Sequence, residues 1–585
     1  MILKINFNPL YTILLVSLFI SSCRTEPKNQ ATTSSNDSPA VLQMRLASEP
    51  DGLSPILARR GVSRQVYRHL YTRLLEINPK TSKFMPQLAT ALPVKEVLEN
   101  GNQKFTFSIH SNAKWSDGNR LTTEDILFSY KLLKHPSVKT RYGVIADLIN
   151  DIQVDETNPN VISFIANECH ITLMNSICEM YIYPEHIFDP EKTMRKIPFT
   201  TFMDEEKIAK AVEKNEPLKQ VGKRFMDPEY TRDPSKFISS SAYTFKEWIT
   251  GQRIILQKNK EWWGDNVDSP IFKPKAEEIQ FQIIPDNNTA ITQLTNGELD
   301  ALSSLPAILF DENKENPNVL AEESPAYQTI WLALNTEKGL LSDRLLRIAL
   351  SHTCNIESIV NNALNGHASA VTGPFMPGTD MYNNEVPPIP FDVEKAASIL
   401  NTIGWSDSDQ DGILDKVLDG KKTNLSLKFT HSSKSTTGPI IAEILKNHAK
   451  QAGIDIQIIP GDRKINLQNV KAGDFDIYLT GTGFGAGLYD PKARWHTESF
   501  PPNGQNYCRY GNKETDAMVD KIRTTCDDEV KRTDLYKRLH ATIASDQPVI
   551  FLYNPKNLFL INKKFDNVVV SPNRPGLFEE FLTLK

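Results

Sequence analysis

Ser111 and Lys114 stand at the Ser-x-x-Lys spacing in which a lysine activates a nucleophilic serine. That serine must open a helix with the lysine one turn on, whereas here Trp115 and a Ser116-Asp117-Gly118 turn follow directly. No Ser-Asp-Asn or Lys-Thr-Gly element comes later, so hydrolase chemistry has no second support. His496 and Glu498 are two potential metal ligands in a loop, too few to hold zinc, and read as surface polar residues. The run "DSDQDGILD" is richer. Asp407, Asp409 and Asp411 occupy positions 1, 3 and 5 of a calcium loop, Gly412 makes the turn, Ile413 offers a carbonyl, and Asp415 falls at position 9. Position 12 is Leu418, so the bidentate glutamate is missing, and a weak structural calcium site and a solvated acidic turn both fit. Finally, Gly481, Gly483, Gly485 and Gly487 in "FDIYLTGTGFGAGLYDP" leave main chain bare without the spacing of a P-loop or a dinucleotide fingerprint.

These residues need a scaffold, and the sequence describes one. "KFTFSIH" (Lys104 to His110) alternates apolar and polar residues as a half-buried strand does. After the Ser-Asp-Gly turn, Thr122 and Asp125 have capping-box spacing, and Ile126, Leu127, Tyr130 and Leu133 mark the apolar face of a helix. Short strands alternate with amphipathic helices along the body, which predicts an α/β protein. A chain of 585 residues exceeds one hydrophobic core, so two or three domains are expected. A net charge of -5 provides no basic surface, which excludes nucleic acid as a partner.

The N-terminus predicts export. Lys4 precedes the apolar run Leu10 to Ile20, too short to span a bilayer and suited to a signal peptide over residues 1–22. "ISSC" resembles a bacterial lipobox, which predicts lipidation at Cys23 and a membrane anchor on the periplasmic or outer face. Residues 23–40 are polar and read as a tether, with the folded body starting near Val41. Of the other five cysteines, Cys169 and Cys178 are close enough to bridge if the chain turns between them. Cys354, Cys508 and Cys526 have no pair spacing, and buried free thiols are the expected state.

The block "WSDGNRLTTEDI" resembles the signature of the family 5 extracellular solute-binding proteins, the oligopeptide, dipeptide and nickel receptors of ABC importers. Other blocks follow in the family's order: "PQLATALP", "SAYTFKEWITGQRIILQKNKEWWG", "LTNGELDAL", "RLLRIALSHTCNIESIV" and "EKAASILNTIGW". The resemblance runs from about Val41 to the end, and its specificity comes from the ordered set.

This resemblance implies a two-lobe periplasmic binding protein fold of α/β class (class II, the three-domain oligopeptide-receptor type), with a hinge and an interlobe ligand cleft. Carried over, 41–75, 180–325 and 550–585 form the main domain of lobe I, 76–179 its accessory domain, and 326–549 lobe II. The crossings fall near "ESPAYQTIWLALN" and "SDQPVIFLYN", and Pro198 to Lys236 is read as a surface excursion. The implied cargo is a peptide or peptide-like ligand passed to permease subunits with an associated ATPase by a monomeric receptor. No catalysis and no cofactor beyond possible structural calcium are implied. The alternative is the same fold serving as a sensor or receptor for a non-peptide ligand such as a metal complex or sugar.

The cleft strand and loop match "FDIYLTGTGFGAGLYDP", making Gly483, Phe484, Gly485, Ala486, Gly487, Tyr489 and Asp490 candidate ligand contacts. Tyr71, Arg73 and Leu74 are the candidates on the facing strand of lobe I. Gly487 replaces the aspartate that pairs with a peptide's α-amino group in oligopeptide-binding members. A buried ammonium without a partner costs several kcal/mol. Either Asp490 substitutes for that aspartate or the cargo lacks a free amine, and Arg73 suits either a ligand carboxylate or a solvated surface position.

Overall fold

Alternation in the strand Gln103–Ser108 turns Phe105 and Phe107 inward and leaves Ser108 exposed. This strand pairs antiparallel with Val94–Val97 and Val161–Ala166, and the latter pairs with Asp151–Val154. The computed structural model describes residues 40–140, 142–267 and 273–585. The expected signal peptide, the lipidation expected at Cys23 and the expected tether up to residue 39 lie outside the described residues.

The turn and capped helix behave as their sequence dictates. Gly118, at φ +87, closes the turn by donating its N–H to the Trp115 carbonyl at 3.0 Å, and Trp115 is buried. Asp125 then accepts the Thr122 backbone N–H at 2.8 Å and the Glu185 N–H at 3.0 Å, fixing both the start of the helix Thr123–Lys134 and the chain beside it. Ile126, Tyr130 and Leu133 are buried on its inner face.

The segment from Pro198 to Lys236 is not a surface excursion. It forms the helices Phe199–Phe202, Glu205–Lys214 and Glu216–Met226, whose Phe199, Phe202, Ile208, Val212, Leu218, Val221 and Phe225 join the first-half core. Their charges lie on the opposite face, which is why the segment reads as exposed when only its composition is considered.

A twelve-stranded sheet runs through both halves of the body. Its central strand, Val549–Asn562, pairs with Gln328–Leu334 through Val549 to Tyr553 and with Val319–Pro325 through Lys556 to Asn562. The expected boundary at 549/550 therefore falls inside one strand, and that at 75/76 inside Leu75–Ile77. The chain passes between halves at Ala326 and Asn554. There Ala326 N–H donates to Pro555 O at 2.8 Å, and the Asn554 amide donates to Ala326 O at 2.6 Å and Gln328 O at 2.7 Å. Separate cores flank the crossings: one joins the four-stranded sheet to the first half, and two others lie in the second.

A buried histidine makes the second half acid-sensitive. His540 is fully buried; Asn383 N–H donates to its Nδ1 at 3.2 Å, which leaves Nε2 to carry the proton toward Thr372 Oγ1 at 3.3 Å. Burial pushes its pKa down from 6.5 to about 4. Because the folded value is depressed, the unfolded chain takes up the proton first, so stability is full above pH 6.5 and declines toward pH 4. The histidine's share of the loss is roughly 3 kcal/mol, and urea unfolding across that range should show a correspondingly smaller loss in His540→Gln, where the paired carboxylates alone still contribute.

Candidate functional site

A cavity of about 410 Å³ lies where the two halves and the four-stranded unit meet. Arg64, Arg73, the strand Leu75–Ile77, Phe84, Arg574 and Phe578 line it from the first half, and Asn175, Cys178 and Glu179 from the helix Leu173–Cys178 and its end. Gly483, Phe484, Gly485 and Ala486 close it from the second half, with Tyr327 of the crossing between.

The second-half wall is shaped by where glycine is required and where it is not. The strand Ile477–Gly483 ladders with Gln328–Leu334 along its whole length, while its other edge pairs only at Ile477 and Tyr478. At Gly481 a Cβ would stand 2.6 Å from Thr329 O, so the strands approach this closely only with glycine. Phe484 N–H donates to Tyr327 O at 2.8 Å, tying the loop to the crossing. Gly485 is open: a Cβ there would meet only Glu179 Oε1, at 3.9 Å. Gly487 has φ +86, and its Cβ would lie 3.0 Å from Asn175 Oδ1. A side chain at 487 would sit on left-handed backbone and press on Asn175, so both constraints favour glycine over aspartate there.

The expected lobe I contacts divide. Arg73 reaches the cavity wall, but its Nη2 donates to both Glu76 carboxylate oxygens at 2.5 Å and its guanidinium lies 4.7 Å from the Tyr181 ring centre. Burial alone would lower the Arg73 pKa, but the Glu76 charge outweighs it and raises it. Burial would raise Glu76, and Arg73 with the Ile77 N–H holds it below the usual carboxylate range. This cation is committed to the scaffold. Tyr71 packs against Tyr181, Tyr183 and Phe237, and Leu74 is in the same core, so neither lines the cavity.

Beyond Ala486 the loop turns away. Tyr489 supports Phe484 edge-on at 5.0 Å between ring centres, and its carbonyl accepts the Tyr536 hydroxyl at 2.6 Å. Asp490 accepts from Arg523 Nε at 3.0 Å and Lys492 N–H at 2.9 Å, with His170 Nε2 at 3.5 Å. Burial would raise its pKa, yet His170, Lys492 and Arg523 together lower it. Asp490 is thus already partnered and lies outside the cavity lining.

Glu179 was not visible as a site residue in the sequence. It is exposed at the end of its helix, beside Gly485, and its carboxylate has no hydrogen-bond or ion-pair partner among the described residues. Arg64 and Arg574 line the same cavity, and their side chains likewise have no such partner among the described residues. Among the described residues the cavity therefore combines the bare main chain at Gly485 with one unpaired carboxylate and two unpaired guanidinium groups.

Other expectations are corrected or refined. Cys169 does not bridge to Cys178 but to Cys526, with Cα atoms 6.1 Å apart, while Cys178, Cys354 and Cys508 are buried free thiols. Spacing favours near neighbours and cannot register a partner 357 residues away. His496 is buried rather than on the surface, with Nε2 at 3.5 Å from Asp520, and Glu498 pairs separately with Lys492 at 2.7 Å. In the acidic loop Asp407, Asp409 and Asp415 converge within 4.8 Å. Lys422 Nζ sits 2.5 Å from Asp409 and 3.3 Å from Asp415, and Asp411 accepts the Ile413 N–H at 2.8 Å.

Two α/β halves, joined at paired crossings around a cavity, define a two-lobed binding protein. The chain belongs to the bacterial extracellular solute-binding proteins, family 5: the model of the family's middle region matches residues 83–505, more than half the chain. The oligopeptide-binding protein AppA of Bacillus subtilis is 24% identical over 573 residues, covering 97% of this chain and 96% of that protein. The nickel-binding periplasmic protein of Escherichia coli is 25% identical over 343 residues, covering 57% of this chain and 63% of that one. The solved structure of Bacillus subtilis AppA in complex with a nonapeptide superposes with a TM-score of 0.68 at 23% identity, over 94% of this chain and 99% of that one, which shows a shared fold. Among the described residues no helix is long and apolar enough to cross a membrane.

Proposed function

We propose that this protein captures short peptides or similar zwitterionic solutes between its lobes and passes them to the permease subunits of an ABC importer with an associated ATPase. The carrying observation is the cavity holding the side chains of Glu179, Arg64 and Arg574, none with a hydrogen-bond or ion-pair partner among the described residues, beside the bare Gly485. There the loop between the committed Phe484 N–H and Ala486 carbonyl leaves main chain facing the space. An extended ligand backbone pairs with exposed main chain whatever its side chains, which gives affinity without sequence preference. Glu179 takes over the ammonium contact that Gly487 cannot make, and the two arginines meet the carboxylate. A volume of about 410 Å³ matches small-ligand sites of about 300–1,000 Å³, which favours short peptides.

Calorimetric titration with trialanine and N-acetyl-trialanine tests this. Glu179→Gln should weaken the free-amine peptide by about 10- to 100-fold, the worth of a charged hydrogen bond, and leave the weaker acetylated peptide unaffected. Equal affinities for both peptides in the wild type would sink the ammonium contact.

The rest of the assembly follows from this role. Cys23 is lipidated and holds a monomeric receptor at the membrane, facing the periplasm or cell exterior, with residues 23–40 as the tether. With its bounds moved off the strand Leu75–Ile77 and onto the crossings at Ala326 and Asn554, lobe I comprises 41–77, 180–325 and 555–585 with 78–179 as its accessory domain, and lobe II comprises 327–553. No cofactor is required; Lys422 offsets Asp409 and Asp415 in place of calcium. Millimolar calcium should therefore leave the melting temperature unchanged, and a rise of several degrees would restore the calcium reading.

A further inference from the structure

Cys169 follows the strand Val161–Ala166 and precedes the helix Leu173–Cys178, elements whose apolar residues belong to the first-half core. Cys526 lies between the helices Lys513–Thr524 and Glu529–Asp546, which build a second-half core. The disulfide therefore joins two bodies that the chain itself connects only at the crossings near Ala326 and Asn554.

Around the bridge is a continuous seam. The Asn175 amide donates to Ala486 O at 2.8 Å, at the wall of the cavity. Further along, His170 faces Asp490 at 3.5 Å, and Ile171 N–H donates to Arg523 O at 3.0 Å while its side chain packs among Trp331, Phe375 and Leu535 of the second half. Past the bridge, Lys95 pairs with Asp527 at 2.5 Å. Tyr327 of the crossing and Asn175 of the seam both stand in the cavity wall, so the ligand space is bounded by the hinge and by this seam. A hinge motion wide enough to free a ligand must part the seam. Its hydrogen bonds and ion pairs can open and reform; the covalent bond cannot.

We propose that the Cys169–Cys526 disulfide is a redox latch on the closed cleft. Oxidised, it holds the two halves together and slows ligand exchange; reduced, it lets the hinge open. The step is thiol–disulfide exchange with an external dithiol. One thiolate attacks a bridge sulfur to give a mixed disulfide, and the second thiol resolves it. The Sγ–Sγ bond breaks, both cysteines gain a proton and an electron, and the dithiol leaves as a disulfide. A disulfide-bearing oxidant runs the same exchange backwards. Both bridge cysteines are partly exposed and within reach of such reagents, whereas Cys178, Cys354 and Cys508 are buried, and burial pushes their thiol pKa values up. The inference rests on the two-lobe fold and is independent of which solute is bound.

Hydrogen–deuterium exchange on the full chain tests it in three forms: as purified, after reduction with tris(2-carboxyethyl)phosphine, and as Cys526→Ser. Alkylation without reductant should first leave Cys169 and Cys526 unmodified. Amides of residues 170–176 and 484–490 should then exchange at least tenfold faster in the reduced protein and the variant, while the strand Ile477–Gly483 keeps its protection. Free Cys169 and Cys526 in the purified protein would overturn the latch. So would unchanged seam exchange on reduction, and so would loss of protection throughout Ile477–Gly483, which would make the bridge a staple of the fold.

Discussion

Gly485→Trp is expected to abolish ligand binding and leave the fold intact. Its φ lies outside the left-handed region, so an L side chain is unstrained there, and the nearest atom a Cβ would meet is Glu179 Oε1 at 3.9 Å. An indole placed there projects into the cavity of about 410 Å³, covers the open main chain and crowds Glu179. Affinity should fall by more than about 100-fold, equivalent to about 2.7 kcal/mol, while the melting temperature stays within about 2 °C. Gly481 and Gly487 provide the contrast. Substituting either forces a close approach or a left-handed backbone, so both should lose stability as well as binding. Full affinity in Gly485→Trp would place the ligand elsewhere.

Arg73→Met separates scaffold from ligand contact. Glu76 is largely buried and its charge is met by Arg73, so removing the arginine strands a carboxylate in the cavity wall. Breaking such a pair costs about 3 kcal/mol or more, and a matched apolar replacement of both partners recovers most of it. Urea unfolding should therefore show Arg73→Met strongly destabilised and Arg73→Met/Glu76→Leu close to wild type. If Arg73 instead held a ligand carboxylate, Arg73→Met would weaken binding and leave stability unchanged.

Local signals in the sequence carried far. The Trp115 turn, the Thr122–Asp125 cap and the alternation at Gln103–Ser108 each depend on residues a few positions apart, and all three form as their types dictate. The second-half wall was legible too, because Gly481 to Gly487 announce bare or strained main chain within one short stretch. What stayed hidden depends on partners brought together only by tertiary folding. Arg73 looked like a free cation because its commitment to Glu76 is a matter of side-chain direction and burial. Asp490 looked available because Arg523 and His170 reach it from distant elements. Glu179 gained its place from lying beside Gly485, and Cys169 its partner from a contact between halves. The helices after Pro198 were missed because their apolar faces were diluted by charge in the average.

The most direct test of a cleft that encloses a peptide is native mass spectrometry of the protein purified without refolding, wild type beside Gly485→Trp. The account predicts short peptides with free amino termini released from the wild type and absent from the variant. A single non-peptide species, or the same bound mass in both proteins, would contradict it.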